Sequence, residues 1–287
     1  WRDGVDGGPP NDWLSTFGGS AWEFDPGTGQ FFYHYFFREQ PDLNWRNPQV
    51  RAAMFDVVRF WLDLGVDGFR LDAIGTVYED PSMESHNTGL TWLDLWGEQN
   101  RAQTDAERER RQDIWMQVFG RQIDQPEIHD LMKALRALVD EYDDRVLVGE
   151  TDKIAFYGSG TDELHMVFNF PLMRTHHLTP AWIRRNQQQR LKELRQISTD
   201  AWPCNTLGNH DCSRIWTAFG DGVHNAEQAR LSLVLMLTLQ GTPFLYNGEE
   251  IGMTDLHLTD INEFRDLLGI WYYQAQVREM GLPPEEA

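Results

Sequence analysis

Short apolar runs alternate with longer amphipathic stretches over most of this chain. Runs of strand length occur at 66–72, 145–150, 164–170, 202–207 and 242–247. Between several of them, apolar positions recur at the three- and four-residue spacing that predicts helices, most clearly at 48–64 and near 127–142. Strands that alternate with helices in this way indicate a parallel α/β architecture.

The first predicted helix has a clear beginning and end. Asn47-Pro48 starts it and Gly65 ends it. Its apolar stripe is expected to include the following positions: Val50, Ala53, Met54, Val57, Val58 and Trp61. The strand at 66–72 follows directly.

Two segments do not follow this alternation. Residues 1–48 are rich in Gly, Pro, Trp and Asn, with a turn at 25–29 between two aromatic runs, and they predict a small irregular β segment. Residues 75–126 have weak periodicity and a run of mixed charge (ERERRQD), which predicts an insertion with a solvated helix. We therefore expect a small domain over 1–48 and an α/β domain over 49–287 that carries the insertion.

The spacing of the predicted strands favours a (β/α)8 TIM barrel. Each βα unit of such a barrel takes about 30 residues. The interval from Glu150 to Asp211 fits two units, and that from Asp211 to Glu249 fits about one. A doubly wound sheet is the alternative, but no Gly-rich phosphate loop follows any predicted strand.

Four carboxylates lie at or just beyond the C-terminal ends of predicted strands: Asp72, Glu150, Asp211 and Glu249. In barrels this rim holds the active site. A single acidic residue at such a position is more often a helix cap or a loop contact. Several at repeated spacing favour a site.

Arg70 precedes Asp72 by two residues, so both side chains should point to the same interior face of the strand. A buried arginine there would keep Asp72 ionised, as a carboxylate nucleophile requires, although a structural ion pair would look the same. Glycoside hydrolysis with retention needs an ionised nucleophile and a second carboxyl with a raised pKa. Asp72 and Glu150 on neighbouring strands could supply both.

Three motifs resemble those of glycoside hydrolase family 13, in the same order and spacing: 68–72 (GFRLD), 148–150 (VGE) and 209–211 (NHD). The segment 40–44 (QPDLN) resembles a motif of the oligo-1,6-glucosidase and α-glucosidase branch of that family. The segment 241–253 (GTPFLYNGEEIGM) resembles the last barrel strand and the following loop of that branch. The similarity runs through nearly the whole chain.

The resemblance implies a role for each matching residue. Asp72 would attack the anomeric carbon, and Glu150 would protonate the leaving oxygen and later activate water. Asp211 would bind sugar hydroxyls in the transition state, and Arg70 would orient Asp72. His210 would hydrogen-bond the ring in the glucose subsite, although a loop histidine without function is the alternative.

The resemblance also implies that only part of the barrel is present. The chain would supply about strands four to eight, with a remnant of the loop domain that follows strand three. The calcium loop of the family would lie outside it, so we predict no metal site and no cofactor. Glu249 is expected to be structural, and the role of Arg214 stays open. We expect little or no activity from this chain alone.

Composition and charge narrow the choice of ligand. The net charge of −20 argues against nucleic acid and anionic membranes as partners, and a neutral ligand fits better. Cys204 and Cys212, as the only cysteines, predict free thiols and no cysteine metal cluster. No stretch has the apolar length of a membrane span, and the first residues do not resemble a secretion signal, so we expect a cytoplasmic protein.

We therefore predict a retaining exo-α-glucosidase that cleaves α-1,4 or α-1,6 bonds at the non-reducing end of short oligosaccharides or disaccharides. In the branch that the chain resembles, Ala73 after the nucleophile favours α-1,4 or mixed linkage. A transglycosylating or isomerising relative, such as a sucrose isomerase or trehalose synthase, is an alternative. A non-catalytic glucosidase-like binding module is another, against which the intact carboxylates argue. Nothing in the sequence indicates an oligomeric state.

Overall fold

The computed structural model describes residues 1–92, 94–95, 105–175, 178–278 and 280–284. Contacts divide the chain into two compact units. The first unit contains Trp1–Asp42, Pro81–Gln122 and Leu256–Ala287, and the second contains Leu43–Asp80 and Ile123–Asp255. These bounds differ from the domains expected over 1–48 and 49–287, and that assignment stays a prediction.

The elements are short strands and helices of mixed length. The strands are β1 (Trp22–Asp25), β2 (Gln30–Tyr33), β3 (Gly68–Leu71), β4 (Val146–Gly149), β5 (Met166–Val167), β6 (Cys204–Thr206) and β7 (Thr242–Phe244). The helices are α1 (Pro48–Leu64), α2 (Asp105–Phe119), α3 (Glu127–Val139), α4 (Phe170–Met173), α5 (Pro180–Ile197), α6 (Ile215–Ala218), α7 (Asn225–Thr238) and α8 (Leu267–Arg278). Every strand predicted from the sequence is present, each shorter than its apolar run.

In the first unit, β1 and β2 form an antiparallel hairpin. Its turn is stabilised by Asp25, whose carboxylate accepts hydrogen bonds from the backbone N–H groups of Gly27 and Thr28. Trp13 is buried against Trp22 of β1, with ring centroids 6.3 Å apart. The predicted irregular β segment is therefore present, and α2 lies where the solvated helix was expected.

In the second unit, the parallel strands follow one another in chain order. β3, β4 and β5 form one sheet, and β6 pairs with β7 in another. A parallel bridge between Phe168 and Cys204 joins the end of β5 to β6. This arrangement confirms the predicted parallel α/β architecture, and it brings the C-terminal ends of neighbouring strands to the same edge.

Local sequence signals explain the bounds of α1. The side chain of Asn47 accepts a hydrogen bond from the N–H of Gln49 at 2.9 Å, and Gly65 adopts the left-handed conformation, with φ of 101°, that ends the helix. The predicted apolar stripe was wrong at three exposed positions, Ala53, Val57 and Trp61, of which the last two are 46% and 44% exposed. The core contacts run instead along a neighbouring stripe of the helix: Phe55, Val58 and Leu62.

The main core of the second unit forms where α3 covers the β3–β4 sheet. One face of α3 is fully apolar and buried, as its regular spacing predicts: Ile128, Leu131, Met132, Leu135, Leu138 and Val139. These side chains pack with Leu147 of β4 and with Tyr157. The resulting core holds the strands that lead into Asp72 and Glu150.

No helix within the described residues is long and apolar enough to cross a membrane.

Candidate active site

The pairing of β3 with β4 brings the two predicted catalytic carboxylates together. Leu71 lies opposite Gly149 in the parallel register, so Asp72 and Glu150 occupy the next equivalent positions. The N–H of Glu150 donates to the carbonyl of Leu71 at 2.8 Å. Both carboxylates therefore leave the sheet at the same point.

One guanidinium joins the two carboxylates. Arg70 points to the same face as Asp72, as the strand alternation predicted, and its Nη1 donates to Oδ1 of Asp72. Its Nη2 lies 2.9 Å from Oε1 of Glu150. Arg70 thus fixes both carboxylates with two donors of one rigid group.

The expectation that Arg70 is buried was wrong. Its side chain is 38% exposed, and that of Asp72 is 73% exposed, whereas that of Glu150 is only 18% exposed. Solvent therefore reaches Arg70 and Asp72.

The backbone after β3 holds Glu150 from the other side. Ala73 is in the left-handed region, with φ of 42° and ψ of 41°, which is uncommon for a residue with a side chain. In this conformation its N–H donates to Oε2 of Glu150 at 2.8 Å. Each oxygen of Glu150 thus has a partner, one from Arg70 and one from Ala73.

The two carboxyls have opposite electrostatics. Burial raises the pKa of Glu150, and its hydrogen bond with Asp72 raises it further against the N–H of Ala73. Burial also acts to raise the pKa of Asp72, but hydrogen bonds from Glu150 and Arg70 and the charges of Arg70 and His210 outweigh it and lower that pKa. The pair therefore favours an ionised Asp72 beside a protonated Glu150.

The third motif lies after β6 and is more open. The side chain of Asn209 accepts a hydrogen bond from the N–H of Asp211 at 2.9 Å. His210 Nε2 lies 3.4 Å from Asp211 Oδ2, and both side chains are more than half exposed. Asp211 does not join the Arg70 network among the described residues.

A cavity of about 150 Å3 connects these elements. Arg70 and His210 line it, together with four aromatic side chains that our sequence analysis did not single out: Phe168, Phe170, Phe244 and Tyr246. They follow or end β5 and β7, so their position at predicted strand ends was the signal that could have found them. The cavity thus offers apolar rings beside charged and hydrogen-bonding groups.

Glu249 and Arg214 lie near the cavity without joining the carboxylate pair. Glu249 is 5% exposed, its Oε2 accepts the N–H of Tyr246 at 3.0 Å, and burial raises its pKa. The guanidinium of Arg214 stacks 4.6 Å from the ring centroid of Tyr246. Among the described residues, no group of three or more His, Cys, Asp and Glu side chains could hold a metal ion.

Comparison with known proteins identifies relatives of the whole chain. It is 33% identical over 301 residues to an oligo-1,6-glucosidase of Parageobacillus thermoglucosidasius, with 100% of this chain and 50% of the relative covered. It is 35% identical over 283 residues to a probable alpha-glucosidase of Rhizobium meliloti, with 95% and 49% covered. The chain thus spans about half the length of these curated relatives.

Solved structures also include relatives that match the whole chain over about half of their own length. A mutant of the isomaltulose synthase of Erwinia rhapontici, in complex with its natural substrate sucrose, matches with a TM-score of 0.78 and 31% identity. The match covers 100% of this chain and 50% of that one. The family model of the alpha-amylase catalytic domain matches residues 1–279. With its parallel α/β sheets, this chain belongs to the alpha-amylase family of glycoside hydrolases, family 13, whose catalytic domain is a TIM barrel.

Proposed function

We propose that this chain carries the catalytic carboxylates of a retaining exo-α-glucosidase acting on short α-glucosides. The observation that supports this most is the Asp72–Glu150 pair. Both carboxylates bind Arg70, the pKa of Asp72 is lowered, and the pKa of Glu150 is raised. A retaining glycosidase needs an ionised nucleophile and a protonated acid side by side.

In the proposed reaction, a carboxylate oxygen of Asp72 attacks the anomeric carbon of the non-reducing glucose. The bond to the leaving oxygen breaks as Glu150 transfers its proton to that oxygen. The resulting Glu150 carboxylate then takes a proton from water, which attacks the anomeric carbon and releases Asp72. Two inversions give a product with the original α configuration.

The surroundings of the pair support these roles. Arg70 stabilises the ionised form of Asp72, and solvent access to its side chain leaves a face open for a sugar. The N–H of Ala73 stabilises the carboxylate form that Glu150 takes after it has protonated the leaving group. His210 and Asp211 are proposed to bind sugar hydroxyls and to stabilise the positive charge that develops on the ring.

We also propose a substrate class and the part of the barrel that this chain supplies. The relatives are named as an oligo-1,6-glucosidase and a probable alpha-glucosidase, and the net charge of −20 suits a neutral ligand. We propose that the five parallel strands correspond to strands four to eight of the barrel and that residues 1–48 come from the loop domain. Since the chain would supply only these strands of the barrel and the side chain of Asp72 is largely exposed, we expect little turnover from this chain alone.

The test is NMR of maltose, isomaltose, sucrose and trehalose incubated with this chain and with a version extended at both ends by family sequence. Each is measured beside its Asp72→Asn variant. We expect the extended protein to release α-glucose and the substitution to lower the rate by at least ~10³-fold, because the nucleophile is lost. If the extended protein leaves all four sugars unchanged, the proposed activity is wrong, and a binding module becomes the better hypothesis.

A sucrose-isomerising activity is a second candidate, because the cavity has four aromatic side chains and a sucrose-bound isomaltulose synthase is among the similar structures. Aromatic rings that stack on a bound sugar would exclude water from it, and exclusion of water favours transfer to a sugar over hydrolysis. The same spectra separate the two activities. Isomaltulose or trehalulose formed from sucrose, in excess over glucose and fructose, would favour the isomerase.

A further inference from the structure

Asp124 lies between the two loops that carry the catalytic carboxylates. Its N–H donates to the carbonyl of Gly75 at 2.7 Å, and its carboxylate forms an ion pair with Nζ of Lys153. Gly75 comes three residues after Asp72, and Lys153 comes three residues after Glu150. One residue thus contacts both loops at matching distances from the two acids.

Each contacted loop is tightly turned. In the first loop, the N–H and the hydroxyl of Thr76 both donate to the carbonyl of Ala73 at 2.9 Å. In the second, the N–H of Lys153 donates to the hydroxyl of Thr151 at 3.2 Å. A shift of Gly75 or Lys153 therefore passes directly to the residues beside Asp72 and Glu150.

The backbone conformations make such support necessary. Ala73 has φ of 42° and Asp124 has φ of 57°, both in the left-handed region that residues with a side chain seldom adopt. Conformations of this kind persist only where surrounding contacts fix them. The N–H of Ala73 reaches Glu150 only while this conformation holds.

We propose that Asp124, through Gly75 and Lys153, is a positioning residue that sets the separation of Asp72 and Glu150 and keeps the N–H of Ala73 on Glu150. This inference depends on the proposed glycosidase function for its kinetic consequence but not for its structural one. It assigns to the Asp124–Lys153 pair a purpose beyond stability.

An ion pair elsewhere in the same unit provides a matched control. Arg59 and Glu141 join α1 to the turn after α3, with side chains 40% and 53% exposed. The side chain of Asp124 is only 24% exposed. Since exposed ion pairs contribute little to stability, Glu141→Gln should change the folding stability only slightly, and Tm is measured for every variant so that any loss of stability at Asp124 is seen separately. A large fall in kcat in Asp124→Asn without a matching fall in Tm would therefore indicate that the catalytic carboxylates have moved.

The kinetic test compares Asp124→Asn, Lys153→Met, the double variant and the control Glu141→Gln in the extended protein. Asparagine tolerates the left-handed conformation and keeps the N–H to Gly75, so the first variant removes only the charge pair. We expect kcat to fall about tenfold in either single variant, because small displacements of reacting groups are costly, while KM stays within about twofold. The double variant should be no worse than the singles, and the control should match wild type.

A second readout needs no activity: the titration of the 13C-labelled Glu150 carboxyl and the amide resonance of Ala73. If Asp124 positions the loops, both change in Asp124→Asn and Lys153→Met and neither changes in Glu141→Gln. Variants that lower only Tm, with kcat, the titration and the Ala73 amide as in wild type, would overturn the proposal. If wild type cleaves no α-glucoside, the proposed function fails, and the NMR readout alone supports or overturns the positioning role of Asp124.

Discussion

The two halves of the candidate site are held in different ways. At the end of the β3–β4 sheet, one arginine and one strained backbone amide fix both carboxylates, and Glu150 is mostly buried. Beyond the β6–β7 sheet, His210 and Asp211 are 58% and 59% exposed, and His210 Nε2 lies 3.4 Å from Asp211 Oδ2. The first half is a network centred on Arg70, and the second is a loop with local hydrogen bonds to Asn209.

The difference follows from what each half has to do in the proposed reaction. Proton transfer and nucleophilic attack need fixed distances and matched pKa values, which the Arg70 network supplies before substrate arrives. Groups that bind sugar hydroxyls gain their partners only when the sugar is present. We therefore expect substitutions in the first half to affect kcat and those in the second to affect substrate binding as well.

Among the substitutions that compare the two halves, Arg70→Met in the extended protein is expected to have the largest effect. The guanidinium lowers the pKa of Asp72, so its loss raises that pKa, and Asp72 stays protonated up to a higher pH. We expect kcat to fall about 10²-fold at neutral pH and the acidic limb of kcat/KM to move to higher pH. Rate profiles against pH measure both.

Arg70→Lys is the matched control, because it retains the charge without the fork that bridges two carboxylates. It should restore the acidic limb toward wild type more than it restores kcat. An Arg70→Met enzyme with an unmoved acidic limb would show that Arg70 does not control the ionisation of Asp72.

A smaller effect is expected from His210→Ala. His210 lines the cavity, but its side chain is exposed and its contact with Asp211 is long, at 3.4 Å. We expect kcat/KM to fall about tenfold, largely through KM. The acidic limb should move less than in Arg70→Met, because the charge of His210 is the smallest of the causes that lower the pKa of Asp72. The control is His224→Ala, since His224 is exposed and pairs with Asp221 away from the cavity. A loss in kcat as large as that of Arg70→Met would contradict the division between the two halves.

Much of the fold could be predicted because its signals are local. The bounds of α1 follow from Asn47, Pro48 and Gly65, which act within one helical turn. The apolar face of α3 is equally regular. The parallel order of the strands follows from the alternation of strands and helices. The contact of Arg70 with Asp72 follows from the two-residue period of a strand.

Features that depend on contacts distant in the chain could not be predicted. The left-handed conformation of Ala73 depends on Glu150, 77 positions away, and alanine carries no signal for it. Asp124 lies in the segment 75–126, whose weak periodicity predicted only an insertion, and its partners Gly75 and Lys153 belong to two separate loops. The exposure of Arg70 depends on which strands surround it, and no residue near it in sequence reports that.

The smallest expected effect comes from a substitution of Glu249, a buried residue near the second half of the site. It is an effect on folding stability alone. Burial raises the pKa of Glu249, and its Oε1 has no hydrogen-bond partner among the described residues. This oxygen lies so close to Gly208 that a Cβ on that glycine would be 2.4 Å from it. A raised pKa in the folded state means that the folded chain loses stability as pH rises from the ordinary carboxyl range through the pKa of Glu249. Glu249→Gln removes that loss, so its Tm relative to wild type should increase with pH across this window, by an amount on the order of 2 °C. Thermal unfolding at several pH values, beside the exposed control Glu227→Gln, measures it. A Tm difference that stays constant with pH would mean that Glu249 does not change its charge in this window. The buried carboxyl would then have partners other than the N–H of Tyr246.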